Sequence, residues 1–230
     1  MIKRIVATKR YKNRRRGLRA FCASLWPTLL FVFLGGNVGA EDQTALLADL
    51  EKNFSSIQTV QTNFKQEKAL KIFNRTIEMD GRIVLENPGK LAWRIDSPIK
   101  YVLILNGKQA IQWDEDSNKI QKQNTSGDPI FEEVIGQIEK WFSGEFGSLL
   151  NDYDLTVKKT QPPELHFVPK AGSMVGKVIR SVTISVREDR TYVEKIVIED
   201  RGGDQTSITF VDTVLNAPVP ATEWEVKPNG

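Results

Sequence analysis

The sequence predicts an α+β fold: a long, strongly curved, mostly antiparallel sheet with two or three helices against one face. Three observations carry this. Short runs of alternating apolar residues follow one another closely from about residue 60 onward. Two segments break that pattern with apolar residues at helical spacing. Between them, Gly81–Ile95 reads as two strands split by Pro88-Gly89, with Ile83 and Leu85, then Leu91, Trp93 and Ile95, on alternate positions. Such a face is ordinary core when a second layer covers it, and an exposed apolar surface when the cover is incomplete.

The first helix is expected from Asp42 to about Gln58, because Leu46, Leu47, Leu50, Phe54 and Ile57 form one stripe and Asp42 or Thr44 can cap its start. Val60, Thr62, Phe64 and Gln66 then share a strand face, and Ile77, Met79, Gly81, Ile83 and Leu85 continue on a second strand. Tyr101–Leu105 is apolar throughout, so both of its faces are expected to be covered. Asn106-Gly107 marks a hairpin turn, with Ile111 and Trp113 on the return strand and Asp116-Ser117-Asn118 as the next turn. Asp128-Pro129 starts a second helix carrying Phe131, Val134, Ile135, Ile138, Trp141 and Phe142, and Glu145–Leu150 adds a further turn. Strands resume at Tyr153, Leu165–Phe167, Ile179–Val186, Tyr192–Ile198 and Ile208–Phe210, and a short last strand is expected at Trp224 and Val226. No fixed-period repeat and no linker interrupts residues 41–230, which read as one domain.

Residues 1–19 hold nine Lys or Arg and no acid; an apolar run follows from Ala20 to about Gly36, then Val38-Gly39-Ala40. Basic, apolar and small is the order of a secretory signal peptide, so residues 1–40 are expected to be removed near Ala40. An uncleaved anchor is the rival reading, although the run is short for a span of roughly 20 residues. Losing nine of 32 basic residues and none of the 29 acidic ones leaves 23 against 29, a net charge of −6 in place of +3. The basic balance therefore resides in the leader, and no nucleic-acid partner is expected. Cys22 also lies there, so the remaining chain has no disulfide and no thiol nucleophile.

The chemistry of catalysis is sparse. His166, the single histidine, alternates with Leu165 and Phe167 and reads as an outward strand residue rather than a general base. One histidine and no cysteine do not make the usual zinc sets, and no phosphate loop or nucleophile elbow occurs. Asp114-Glu115-Asp116 sits in a turn, and Glu132-Glu133 suits the first turn of a helix. Paired carboxylates across a cleft, as in a glycan hydrolase, stay open on residues alone. No cofactor, no metal and no enzyme activity are expected; binding is favoured over catalysis.

Four pieces in a fixed order carry a family resemblance: the first helix running into Ser56–Gln66; Gly81-x-Ile83-x-Leu85-x-x-Pro88-x-x-Leu91-x-Trp93; Pro98 followed by an apolar strand and Asn106-Gly107-Lys108; and Phe167-Val168-Pro169-Lys170. Leu46–Pro169 thus resembles LolA, the periplasmic carriers of outer-membrane lipoproteins. The resemblance implies a half-open β-barrel closed by a helical lid, with acyl chains against the apolar concave face. By it, Phe64, Ile83, Leu85, Leu91, Trp93 and Ile95 line the cavity, and Phe131, Ile135 and Ile138 form the underside of the lid. It further implies an acylated lipoprotein as cargo, an inner-membrane ABC-type transporter as donor, an outer-membrane lipoprotein as acceptor, and a monomer in the periplasm. One position departs: the residue before the motif proline is usually an Arg that latches the lid, and here it is Asn87. Asn lacks the charged fork of Arg, so a carrier of another lipid or a lipid-linked pigment precursor is the alternative.

Overall fold

The computed structural model describes residues 40–124, 136 and 138–226. Residues 1–39 of the expected leader, the expected helix start at Asp128-Pro129, and Phe131 and Ile135, expected in a lid, lie outside the described residues.

Helix α1 (Ala40–Phe54) buries Leu46, Leu47, Leu50 and Phe54, the stripe expected from their spacing. Each fully buried side chain of this size contributes about 1.5–3 kcal/mol. The helix stops earlier than Gln58. The Ser55 and Ser56 hydroxyls donate back to the Lys52 and Asn53 carbonyls at 2.8 and 3.3 Å, competing with the backbone for helical acceptors. Ile57 is buried all the same, in the turn that follows.

Eleven strands then form one antiparallel sheet: β1 (Thr59–Leu70), β2 (Arg75–Glu86), β3 (Lys90–Ser97), β4 (Tyr101–Asn106), β5 (Gln109–Asp114), β6 (Ile120–Asn124), β7 (Tyr153–Thr160), β8 (Pro163–Pro169), β9 (Ile179–Val186), β10 (Val193–Asp200) and β11 (Gln205–Leu215). Their order is β6-β5-β4-β3-β2-β1-β11-β10-β9-β8-β7, so the sheet stays open, with β6 and β7 as its edges. Chain neighbours pair as hairpins on either side of the central β1–β11 pairing. Between β4 and β5 the two loop residues are Gly107 and Lys108, since Asn106 still pairs with Gln109. Gly107 takes φ +56 at the first loop position, which is where a type II′ connection needs glycine.

Two helical segments lie between β6 and β7: α2, described at residues 136 and 138–143, and the short α3 (Phe146–Leu149). Ten of the eleven strands send side chains into a single cluster with α1, α2 and α3. A flat sheet of this width could not bring Leu105 of β4 and Phe167 of β8 into one core; the sheet must curve around it.

The opposite face of β2–β5 is covered too. Val84, Ala92, Val102, Ile104 and Trp113 pack there with Val219, Trp224 and Val226. Period-2 alternation along β4 thus serves two cores, as its continuous apolar run predicts. The expected strand at Trp224 is instead a 3₁₀ turn, Ala221–Trp224. It lies over a sheet face rather than at an edge, so the segment has no ladder to join. Thr59 Oγ1 donates to the Ala217 carbonyl at 2.7 Å, and Arg94 donates to the Glu223 and Glu225 carbonyls at 2.8 and 3.0 Å. These bonds hold the segment down as a strap. Strand β6 carries no apolar alternation to predict it, because all five of its residues are exposed and only Ile120 is apolar.

Candidate functional site

The enclosed face of the sheet brings together most of the side chains expected to line a cavity. Phe64, Ile83, Leu85 and Leu91 are buried in the main cluster, with Trp93 and Ile95 half-buried against it. Strand register explains the grouping: Phe64 lies opposite Gly81, Ile83 opposite Trp93, and Leu85 opposite Leu91. Glycine at 81 leaves room for the Phe64 ring, which also packs on Trp93 with centroids 5.2 Å apart. Ile138, on α2, is half-buried against the same cluster.

Aromatic side chains outside the expected set complete the face. Phe142 of α2 meets Phe210 of β11 edge-on at 5.2 Å. Phe146 of α3 sits between Phe54 of α1 at 5.7 Å and Phe167 of β8 at 6.5 Å, and Tyr153 meets Phe167 at 6.1 Å. Aromatic rings thus join helix to helix and helix to sheet, beside Leu46, Leu47, Leu50 and Leu149, each such pair adding about 0.5–1.5 kcal/mol to its area burial. The i, i+4 spacing of Phe142 and Phe146 is the available sequence signal, obscured by the Ser143-Gly144 break between them.

A cleft of about 580 Å³ opens beside this interior. Phe54 and Ile57 belong both to its wall and to the buried cluster, so the cleft backs directly onto the core. Glu51, Asn87, Pro88, Gly89, Glu139 and Gly144 also line it. Asn87 is half-buried; its Nδ2 donates to the Ile57 carbonyl at 3.0 Å and its amide to the Gln58 carbonyl at 2.8 Å. That side chain secures the turn after α1 and stops short of the helices across the cleft. On the far wall, Glu51 Oε1 accepts the Gly147 amide at 2.8 Å, tying α1 to α3. Burial, followed by repulsion from Glu145, raises the pKa of the Glu139 carboxyl.

Among the described residues the buried polar side chains are Thr62 and Ser181, and no group of three or more His, Cys, Asp or Glu could hold a metal ion. His166 Nδ1 lies 2.9 Å from Thr183 Oγ1 on a neighbouring strand, and burial, then Lys158, lowers its pKa. Asp114 is engaged by the Ser117 amide and hydroxyl, both at 2.7 Å, which lowers its pKa. It serves its own turn and faces no cleft carboxylate of the site. Among the described residues, the site aligns no nucleophile with a base.

Residues 55–227 match the family described as outer membrane lipoprotein carrier protein LolA. An outer-membrane lipoprotein carrier protein of Coxiella burnetii is 26% identical over 204 residues, covering 87% of this chain and 90% of its own. One from Chromohalobacter salexigens is 22% identical over 208 residues, covering 90% and 93%. Among solved structures, an uncharacterized conserved protein from Thermus thermophilus has the same fold, with a TM-score of 0.51 at 10% identity, covering 81% of this chain and 94% of its own.

Proposed function

The chain belongs to the LolA family of outer membrane lipoprotein carrier proteins, and from that premise we propose that it carries the acyl chains of lipoproteins between membranes, holding them against the enclosed sheet face under α2 and α3. The observation that carries the reading is the single apolar cluster joining ten strands to three helices, with half-buried Trp93, Ile95, Leu103 and Ile138 at its margin. The leader, removed near Ala40, would deliver the carrier to the periplasm. There an inner-membrane ABC-type transporter loads it and an outer-membrane lipoprotein receives the cargo.

The energetics favour a lid that is itself packed when empty. Burying acyl chain gains about 0.8 kcal/mol per methylene. Two full chains would approach about 20 kcal/mol, near the limit of noncovalent affinity, and release would be too slow for a carrier. Displacing Phe142 from Phe210 and Phe146 from Phe167 on loading offsets part of that gain. Phe131 and Ile135 are assigned to the same lid as Ile138. Asn87, with its short reach to Ile57, gives the lid no charged latch. That favours a second reading in which the cargo is another lipid or a lipid-linked pigment precursor.

Titration with a fluorescent fatty acid tests the site. Trp93→Glu places a carboxylate at the margin of the cluster and should weaken binding at least about tenfold, with far-UV circular dichroism unchanged. Equal affinity in the variant would refute the assignment. Asn87→Arg should slow release, because a guanidinium can reach Glu139 or Glu145 across the cleft; unaltered release removes position 87 from the lid. Mass spectrometry of the lipid that co-purifies separates triacylated peptide from free lipid.

A further inference from the structure

One end of the sheet gathers three adjacent turns, and two of them present apolar side chains to solvent. The β1–β2 turn carries Ile72 and Phe73, 84% and 74% exposed. Strand β3 begins pairing with β2 only at Asp80, so Arg75–Met79 project past it by about 16 Å at the usual strand rise. The β10–β11 turn lies alongside, with the Lys71 amide donating to Asp204 Oδ1 at 2.9 Å. Next to it stands the loop before β9, where Met174 and Val178 are exposed. The Arg201 amide donates to the Val178 carbonyl, and its Nε to the Gly176 carbonyl, each at 2.9 Å. Hydrogen bonds thus join the three turns into one surface.

The charge of this end opposes that of the chain. Against Lys68, Lys71, Arg75, Lys177 and Arg201 stand the cross-strand pair Glu67 and Glu78 and, in the turns themselves, Asp200 and Asp204, five charges to four. Both aspartates are engaged within these turns, Asp200 Oδ1 by the Asp204 amide and Asp204 Oδ1 by the Lys71 amide. The chain beyond residue 40 is otherwise net acidic. Large apolar side chains raised on turn tips and ringed by long cationic ones match the boundary of an anionic bilayer: the rings and aliphatic chains enter the acyl edge while the cations stay among the phosphates. A protein partner would need separate pockets for Phe73 and Val178, whereas a fluid interface needs none.

We propose that this end of the sheet docks the protein on anionic phospholipid surfaces through Ile72 and Phe73, supported by Val178 and the surrounding lysines and arginines. Docking here is independent of what the sheet encloses. The test is flotation of the chain freed of residues 1–40, whose nine cations and apolar run would themselves bind lipid, with vesicles of phosphatidylethanolamine and phosphatidylglycerol, compared with vesicles of phosphatidylcholine alone. The chain should favour the anionic vesicles and lose binding as salt is added. Ile72→Ser/Phe73→Ser and, separately, Lys71→Glu/Arg75→Glu should each reduce partitioning about tenfold. Fatty-acid binding and melting temperature should stay unchanged, since neither pair reaches the core. Equal partitioning of both variants and the unmodified chain, or equal binding to neutral and anionic vesicles, would overturn the proposal.

Discussion

At Gly81 a hydrogen replaces a side chain for a reason that lies on two other strands. A Cβ there would strike the Arg94 carbonyl oxygen and come within 2.7 Å of Phe64 Cζ. Neither the β3 backbone nor a ring 1% exposed can give way without disturbing the core. Gly81→Ala should therefore cost about 1–3 kcal/mol by overpacking, seen as a lower midpoint in urea. Gly89 is the comparison: it has φ +77 and nothing within 4 Å, so alanine there meets only backbone strain of about 1 kcal/mol. Equal losses at the two positions would show that Phe64 does not depend on Gly81. The turn at Gly89 is legible from Pro88-Gly89 alone. The requirement at Gly81 is not, because it exists only once register sets Phe64 opposite.

The strap over β2–β5 shows how an element can be fixed by partners distant in the chain. Glu223 Oε2 is 2.8 Å from Arg82 and 3.7 Å from Arg94 Nε, which is buried without a hydrogen-bond partner. Burial lowers the Arg94 pKa, and Glu223 acts in the opposite direction. Lys90 lies 5.2 Å from the Trp224 ring, a further hold. Glu223→Ala removes the carboxylate from a largely buried guanidinium. It should destabilise by about 1–3 kcal/mol and speed amide exchange across residues 219–226. Unchanged exchange in that segment would mean that the apolar contacts of Trp224 and Val226 hold the strap alone. The sequence alternation at Trp224 and Val226 is real, but alternation marks a face to be buried and does not supply a ladder. The stripe of α1, by contrast, is legible down to Phe54, because every buried residue lies on one helical face.

Across the whole molecule, protection should follow the order of the sheet. Strands β1, β2 and β11 are paired on both sides and buried in the main cluster; β6 is an edge with every residue exposed. Hydrogen exchange followed by mass spectrometry should show the slowest amides in β1, β2 and β11 and the fastest strand amides in β6. Slow exchange throughout β6 would mean that its outer edge is paired in solution. A cargo that displaces α2 and α3 should loosen residues 138–149 while leaving β1 and β11 protected. The same experiment with lipid present thus reads lid movement apart from sheet stability.

By itself the sequence determined where chemistry is sparse: one histidine in a strand, no cysteine beyond Cys22, and apolar residues at two periods that could be satisfied only by strands laid under helices. Those are local properties, written in spacing. Tertiary structure decided that the sheet stays open, that its back is covered by the chain's own end, that Phe142 and Phe146 fill the enclosed face, and that Ile72 and Phe73 are left in water. Each of these depends on which residues far apart in the chain become neighbours. A hydrophobic residue reads the same in a one-dimensional pattern whether the curved sheet folds over it or holds it out.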